Sequence, residues 1–320
     1  MKEYAVITTI NPPNKTIDIL SKSMTVVVVG DKKTKGWDNG STKAFYSNPD
    51  IEPFNSYARK NIGYLYAMEQ GASVIYDTDD DNIPNENWHI RTERCTANLV
   101  KQKGWVNVYP YFSDESIWQR GLPLNRLDDG EGELQFGNSI IGEFPIQQGL
   151  VNGDPDIDAM CRMVFKPDVE FKTERSISIP KGSWSPFNSQ STWWFPKAFP
   201  LMYLPVTINF RMTDIWRSFV AQRILWEMAH ELVFHSPAEV VQERNEHNLM
   251  KDFEDEIAGY LHNEKIAQIL GDLKLNSDIC GNMIKCYDSL IKADIVNPKE
   301  MDSLNQWIDD IEKVLLNSFY

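Results

Sequence analysis

A run of carboxylates directly follows a short, mostly apolar stretch of the sequence. Ser73–Tyr76 leads straight into Asp77-Thr78-Asp79-Asp80-Asp81. Four carboxylates held close together repel one another at neutral pH, and a bound cation offsets that repulsion. Mg²⁺ and Mn²⁺ bind carboxylate oxygens together with phosphate oxygens of a substrate, and the carboxyl ends of strands in an α/β sheet are where nucleotides bind. The run therefore predicts a divalent metal site for a nucleoside diphosphate.

The acidic run leaves two questions open. It contains two D-x-D registers, Asp77 with Asp79 and Asp79 with Asp81, and the sequence does not choose between them. A solvated acidic turn or a fragment of a calcium-binding loop would also be acidic. The glycine and the final glutamate of the EF-hand spacing are absent, and the apolar strand in front is unlike a free loop, so the metal site is favoured.

The elements that must position this run alternate between strands and helices. Tyr4–Ile10 and Met24–Val29 are predicted strands, and the second is so uniformly apolar that both of its faces should be covered. Tyr57–Gly71 has the helical spacing of apolar residues and ends at a glycine. This alternation predicts an α/β layered sheet.

The last part of the sequence is helical. The pattern is helical from Asp214 to His230, and beyond Arg244 it remains helical to the end. We therefore predict a catalytic domain over residues 1–243 and a helical C-terminal subdomain over residues 244–320, whose helices could also form a homo-oligomer.

The charge balance excludes some classes of partner. The 320-residue chain has 32 basic and 46 acidic residues and a net charge of −14, so non-specific binding to nucleic acid or anionic membrane is not expected. The longest apolar run, around Val26–Val29, is far shorter than the ~20 residues that span a bilayer. No signal peptide is recognisable, so we expect a cytoplasmic protein without a membrane span. The four cysteines form no C-x-x-C pair, which argues against disulfides or a thiolate zinc site.

The segment before the acidic run has a more specific pattern. Arg59–Ala72 has the form R-x-N-x-G-x-x-x-A-x-x-x-G-A and leads through the apolar strand into D-x-D. This order resembles the nucleotide-sugar half of GT-A fold glycosyltransferases. The resemblance implies that Gly63 and Ala67 let the helix pack closely on the sheet and that Arg59 approaches the base or the diphosphate.

Further segments, in the same order, resemble the STELLO-like glycosyltransferase family. The resemblance extends from about residue 4 to about residue 230. It implies a GT-A type, Rossmann-like mixed sheet flanked by helices, and a more distant similarity to reversibly glycosylated polypeptides. The matching segments are Val6–Pro13, Val27–Thr34, Asp77–Asp80, Trp118–Leu124, Asn152–Ala159, Pro186–Thr192 and Leu204–Arg217.

The family resemblance implies a UDP-sugar donor. Asp31, at the end of the second strand, would accept the imide N–H of uracil, for which a carboxylate is well suited. Thr8, Arg59, Asp77 and Asp79 would form the rest of the nucleotide site.

The same resemblance implies a bound Mn²⁺ or Mg²⁺. Asp79 and Asp81 would be its ligands, and the ion would neutralise the UDP leaving group as the sugar–oxygen bond breaks. His235 is a candidate for a further ligand, because many GT-A enzymes return a ligand to the metal after the long helix. A structural histidine is the alternative.

An inverting transfer also needs a carboxylate that takes the proton of the acceptor hydroxyl. Asp214 is the candidate base. It precedes an apolar-periodic run and should lie near a helix N-terminus, where the macrodipole favours the ionised carboxylate. A plain helix cap is the alternative role.

Other residues are candidates for contacts with the sugar or the acceptor. Asp156 and Asp158 alternate in an extended segment and could both point toward sugar hydroxyl groups, although a turn-capping role of Asp154-Pro155 is an alternative for this segment. Trp194 could form a stacking floor together with Trp193, or it could pack in the core. Arg211 lies in a segment that resembles the family, and the resemblance implies a substrate contact.

The leading hypothesis is a metal-dependent hexosyl- or pentosyltransferase that moves a sugar from a UDP-sugar to a carbohydrate or glycan-precursor hydroxyl. A nucleotide-sugar mutase is a second reading, because reversibly glycosylated polypeptides share a strand followed by an Asp run. A non-catalytic partner that organises other glycosyltransferases is a third. A nucleic-acid acceptor is less expected at a net charge of −14.

Overall fold

A mixed β-sheet lies at the centre of the computed structural model, which describes residues 2–34, 37, 44–46, 53–130, 134–242 and 248–317. The strands, numbered along the chain, are β1 (Glu3–Thr8), β2 (Thr25–Val29), β3 (Ala44–Tyr46), β4 (Val74–Thr78), β5 (Asn82–Pro84), β6 (Arg94–Val100), β7 (Gly104–Trp105), β8 (Phe136–Glu143), β9 (Ile146–Gly153), β10 (Ile177–Ile179), β11 (Ser183–Trp184), β12 (Ser191–Trp194) and β13 (Leu232–Gln242).

Helices flank this sheet and follow it in the chain. The α-helices are α1 (Lys15–Leu20), α2 (Lys60–Glu69), α3 (Tyr109–Phe112), α4 (Ala159–Phe165), α5 (Thr213–Glu227), α6 (Leu249–Asp272), α7 (Ile279–Lys292) and α8 (Glu300–Asn317). Short 3-10 helices cover Tyr57–Arg59, Leu124–Gly130 and Pro196–Met202. The predicted fold class, an α/β mixed sheet with flanking helices and a helical C-terminal part, is confirmed.

The strand order brings the ends of several strands to one edge of the sheet. The order is β3-β2-β1-β4-β12-β9-β13-β10-β6-β8, with β5 paired to β13, while β7 and β11 form a separate pair. β1 is parallel to both β2 and β4, whereas β12 is antiparallel to β4. Because parallel strands end on the same side, the segments that follow β1, β2 and β4 meet in one crevice, the usual place for a ligand in such sheets.

Alternate residues of β2 enter two different cores. Val27 and Val29 belong to the core beneath α2, and Val26 and Val28 belong to the core on the α1 side. All four side chains are buried. The uniform apolar sequence of this strand therefore predicts its double-sided burial correctly.

Helix α2 approaches the sheet closely at Gly63. A Cβ atom at this position would lie 2.6 Å from Cγ1 of Val6 and 2.7 Å from Cγ2 of Val29. Those distances are too short for non-bonded carbon atoms, so any larger residue would push α2 away from β1 and β2. The expected close packing of this helix is confirmed.

The C-terminal helices share the core of the sheet-bearing part. Ile266, Leu290, Leu304 and Trp307 belong to the same buried cluster as the residues beneath α2. Helix α6 packs against α4 and α5, and α8 packs against α2. This part is helical, as its sequence predicts, while the predicted boundary after residue 243 lies outside the described residues. Within the described ranges, no helix combines the length and the apolar composition needed to cross a membrane.

Three strands are longer than the others that the structure describes. β8 and β9 are eight residues long, and β13 runs for eleven residues. Pro237 lies within β13, although a proline cannot donate to a strand ladder. The register of β13 against β9 shifts between His235 and Val240, and this irregularity accommodates the proline.

Candidate active site

A cavity of about 460 Å³ lies at the edge of the sheet where β1, β2 and β4 end. Segments distant in the sequence meet there, so the cavity depends on the whole fold. Its lining is mostly polar and charged: Thr8, Thr9, Ile10, Asn11, Asp31, Lys33, Asn55, Ser56, Tyr57, Asp79, Asp80, Asp81, Arg120, Asp156, Arg162, Gln190, Phe210, Arg211, Asp214 and Gln242.

The first carboxylate of the acidic run does not line this cavity. Asp77 is fully buried in β4, where it accepts hydrogen bonds from Nζ of Lys60 (2.9 Å), Nη1 of Arg217 (3.0 Å) and Oγ of Ser189 (2.8 Å). Burial alone would raise the pKa of this carboxyl, but the two cations outweigh it and hold the pKa below its ordinary value. This placement does not support the expected contact of Asp77 with nucleotide or metal, because cations of the protein surround this carboxylate.

Lys60 is the residue that the sequence-based reading missed. Its side chain is 0% exposed, and its ammonium donates to Asp79 Oδ1 (2.8 Å) and to the hydroxyl of Tyr57 (2.7 Å) as well as to Asp77. The signal was available, because residue 60 lies on the same helical face as the buried residues Gly63 and Ala67.

The later carboxylates of the run face the cavity. Asp79 accepts from Tyr57 and Lys60 through Oδ1, and its side chain is 24% exposed. Partial burial raises the pKa of Asp79 to about 7, with Lys60 opposing this rise and Asp81 adding to it. Asp80 accepts from Asn11 (2.9 Å).

Asp81 also lines the cavity, where its Oδ2 accepts from Nε2 of Gln242 (2.7 Å). Asp79 and Asp81 thus supply oxygen atoms of the type that Mg²⁺ and Mn²⁺ prefer. Among the described residues, no three His, Cys, Asp or Glu side chains converge in a way that would hold a metal. The donor set fits a hard divalent cation whose remaining ligands come from water or phosphate oxygens.

The expected nucleotide residues divide into two groups. Thr8 and Asp31 line the cavity, and Asp31 is fixed by the backbone N–H groups of Lys32 and Asn55, both at 2.6 Å. Arg59 does not line it. Its Nε donates to the carbonyl of Gly30 at 2.9 Å, so the guanidinium fixes the backbone behind Asp31. The expected direct contact of Arg59 with the base or diphosphate is not supported by this placement.

Arg120, Asp156 and Asp214 form the wall on the other side of the cavity, where one guanidinium binds two carboxylates. Arg120 donates to Asp156 through Nε and Nη2, both at 2.6 Å, and to Asp214 through Nη1 (3.0 Å) and Nη2 (2.9 Å). All three side chains are buried. Burial lowers the pKa of Arg120, but the two carboxylates outweigh it and hold that pKa well above the usual range. Asp214 lies in the first turn of α5, as its sequence predicts.

Helix α6 positions a second arginine of this wall. Glu256 of α6 accepts from Arg211 through Nε (2.9 Å) and Nη2 (2.6 Å), and also from the backbone N–H of Ala159 (2.9 Å). Arg211 lines the cavity, and its Nη2 lies 3.7 Å from Oδ1 of Asp156. The C-terminal helices therefore take part in building the site, because α6 supplies the counter-ion of a cavity residue.

Asp158 lies behind the wall. Its Oδ1 accepts from the backbone N–H groups of Met160 (2.8 Å) and Cys161 (3.3 Å), so it caps α4 and does not line the cavity. This placement does not support the expected contact of Asp158 with sugar hydroxyl groups. Burial and the nearby charge of Glu256 raise the pKa of Asp158 to about 7.

The tryptophans expected to form a stacking floor are buried. Trp194 is 0% exposed, and the guanidinium of Arg217 lies 4.9 Å from its ring centroid. Core packing is thus the role of Trp194, because strand β12 is covered on both faces. Two other aromatic residues line the cavity, Tyr57 and Phe210. Phe210 is 61% exposed, and its ring has an edge contact with the ring of Tyr57 at 5.3 Å between centroids.

His235 lies away from the cavity, in β13. Its Nε2 contacts Oε1 of Gln147 (2.7 Å), and its Nδ1 contacts Oγ of Ser176 (3.0 Å). Burial, together with the charge of Arg91, holds the pKa of His235 well below its usual value, so the ring is neutral at physiological pH. This placement does not support the expected role as a metal ligand, because both ring nitrogens contact other side chains and no carboxylate of the acidic run is among their partners.

Comparison with known proteins finds relatives that are probable glycosyltransferases. The profile of the family described as STELLO glycosyltransferases matches residues 211–318. The probable glycosyltransferase STELLO2 of Arabidopsis thaliana is 28% identical over 246 residues, which are 68% of this chain and 32% of that protein. The probable glycosyltransferase STELLO1 of the same plant is 30% identical over 208 residues, 59% of this chain and 27% of that protein.

Solved structures match the chain only weakly. The mannosyltransferase PcManGT from Pyrobaculum calidifontis, in complex with GDP-Man and Mn²⁺, has a TM-score of 0.41 and 8% identity, with 100% of this chain and 81% of that chain covered. The TarS protein of S. aureus in complex with UDP has a TM-score of 0.41 and 12% identity, with 97% and 88% covered.

The chain is therefore similar to probable glycosyltransferases of the STELLO type, as its sequence motifs predict. It spans about a third of the length of the curated relatives that it matches.

Proposed function

We propose that this chain transfers a sugar from a UDP-sugar to a hydroxyl group of a carbohydrate or glycan precursor, with the help of Mn²⁺ or Mg²⁺. One observation carries this proposal. Asp79 and Asp81, which suit a metal–diphosphate, line the same cavity as Asp156 and Asp214, which suit hydroxyl groups. A sugar transferase needs a donor site and a proton acceptor that open onto one space.

On the donor side, the geometry favours the second D-x-D register. Asp79 and Asp81 face the cavity, whereas Asp77 is enclosed by Lys60 and Arg217. A metal ion bound there would offset the charge that develops on the departing diphosphate. Asp31 lines the same cavity, and we propose that it accepts the imide N–H of uracil, with Thr8 beside it.

On the acceptor side, Asp214 is the proposed base. Arg120 fixes the orientation of the Asp214 carboxylate through two charge-assisted hydrogen bonds. In an inverting transfer, the acceptor oxygen would form a bond to the anomeric carbon while the bond to the diphosphate breaks. The diphosphate would leave with that electron pair, and the proton of the acceptor hydroxyl would pass to Asp214. Asp156 and Arg211 are positioned to bind neighbouring hydroxyl groups.

The test separates donor binding from transfer. Asp214→Asn should retain UDP affinity but slow the release of UDP from UDP-sugar in the presence of acceptor by ~10²-fold or more, because the proton acceptor is lost. Asp272→Asn, an exposed change at the end of α6, is the matched control and should leave the rate unchanged. A folded Asp214→Asn protein with the normal rate would exclude this base. A mutase would instead convert the UDP-sugar without acceptor and without net release of UDP.

A further inference from the structure

A buried lysine of the protein contacts two carboxylates of the acidic run. The Lys60 ammonium lies beneath the cavity floor, 2.8 Å from Asp79 Oδ1 and 2.9 Å from Asp77 Oδ1. Side-chain exposure is 0% for both Lys60 and Asp77. The repulsion within the run is therefore relieved in part without a metal ion.

The charges of this buried group can be counted. Lys60 and Arg217 carry two positive charges, and Asp77, which contacts both of them, carries one negative charge. One positive charge remains, and the contact between Lys60 and Asp79 directs it toward the first carboxylate that lines the cavity. The negative charge of Asp79 is therefore largely balanced by Lys60 before any ligand enters the cavity.

We propose that Lys60 is a resident counter-ion of the donor site: it lets a nucleoside diphosphate bind without a metal ion, and it weakens the binding of a divalent cation at Asp79. This inference rests on the proposed function, because it takes Asp79 and Asp81 as the place where metal and diphosphate meet. Lys60 acts through Asp79, so it is a positioning residue rather than a ligand of either.

A substitution of Lys60 should therefore change the affinity for Mn²⁺ and the affinity for metal-free UDP in opposite directions. Without the ammonium, Mn²⁺ meets a more negative site and binds more tightly, whereas UDP without metal meets the same negative charge and binds more weakly. The repulsion between a unit charge and a double charge about 6 Å apart in water corresponds to about a tenfold change in affinity. If the substitution instead disrupted the structure of the site, the affinities for Mn²⁺ and for UDP would both fall.

The experiment uses two substitutions of opposite charge effect. Lys60→Met removes a positive charge, and Asp77→Asn removes a negative charge from the same buried group. Mn²⁺ affinity is measured in the absence of nucleotide by the electron paramagnetic resonance signal of the free ion. UDP affinity is measured in EDTA by calorimetry. Lys22→Met, an exposed lysine outside the cavity lining, controls for net charge and should change neither affinity.

Lys60→Met should tighten Mn²⁺ about tenfold and weaken metal-free UDP, while Asp77→Asn should do the reverse. If one of the two variants does not fold, the Mn²⁺ and UDP affinities of the other variant still test the proposal. Unchanged Mn²⁺ affinity, or a change of both ligands in the same direction, overturns the inference. The Mn²⁺ titration needs no nucleotide, so absence of UDP binding in the wild-type protein would contradict the proposed function without deciding the role of Lys60.

Discussion

Replacing Arg120 by Gln should destabilise the protein far more than breaking a surface ion pair does. The guanidinium is the shared partner of Asp156 and Asp214, whose side chains are only 5% and 6% exposed. Without it, two buried carboxylates would lose four charge-assisted hydrogen bonds. Breaking a buried ion pair from one side typically costs about 3–5 kcal/mol, because the remaining charge stays buried.

The assay is urea denaturation, with the free energy of unfolding compared between variants. Arg126→Gln is the matched control, because Arg126 pairs with Glu264 at side-chain exposures of 42% and 27% and should contribute about 0–1 kcal/mol. Arg120→Lys should recover part of the loss, since an ammonium keeps the charge but cannot form the planar fork. An Arg120→Gln protein that loses no more stability than Arg126→Gln would refute the description of Arg120 as the element that holds this wall.

Two more predictions concern the wall behind the cavity. Because the pKa of Asp158 is raised to about 7, the folded protein keeps a proton that the unfolded chain releases near pH 4, so this residue makes stability fall as the pH rises from about 4 to about 7. Asp158→Asn keeps the helix cap and should flatten the profile of urea midpoints between pH 5 and 8; profiles that remain parallel to the wild type would contradict this. Glu256→Gln should release Arg211 and raise the KM for the acceptor by about tenfold in steady-state assays, while UDP affinity stays constant. An unchanged KM would exclude this positioning role.

Local patterns in the sequence were sufficient for the parts of the fold that depend on neighbours in the chain. The apolar strand before Asp77, the helical spacing around Gly63 and the three C-terminal helices are all found where the sequence predicts them. The cause is that strand burial, helix packing and helix breaks each leave a periodic signal within about 10–20 residues. Asp214 at the start of α5 is predictable for the same reason.

The partners of these residues could not be predicted in this way. Arg120 meets Asp156 and Asp214 across 36 and 94 residues of sequence, and only the completed sheet brings them together. Conversely, Trp194 and His235 have residue types that suit a site, but both lie on strands covered on both faces. Residue type indicates possible chemistry, whereas the direction of a side chain depends on which strand lies beside it.

Whether the acidic run binds a metal–diphosphate is decided by calorimetric titration of UDP into the wild-type protein and into Asp81→Asn, each in Mn²⁺ and in EDTA. Asp81 faces the cavity beside Asp79, so we expect UDP to bind the wild type more tightly with Mn²⁺, and we expect this difference to shrink in Asp81→Asn. Equal UDP affinity of the wild type in Mn²⁺ and in EDTA would contradict a metal-bridged donor site at Asp79 and Asp81.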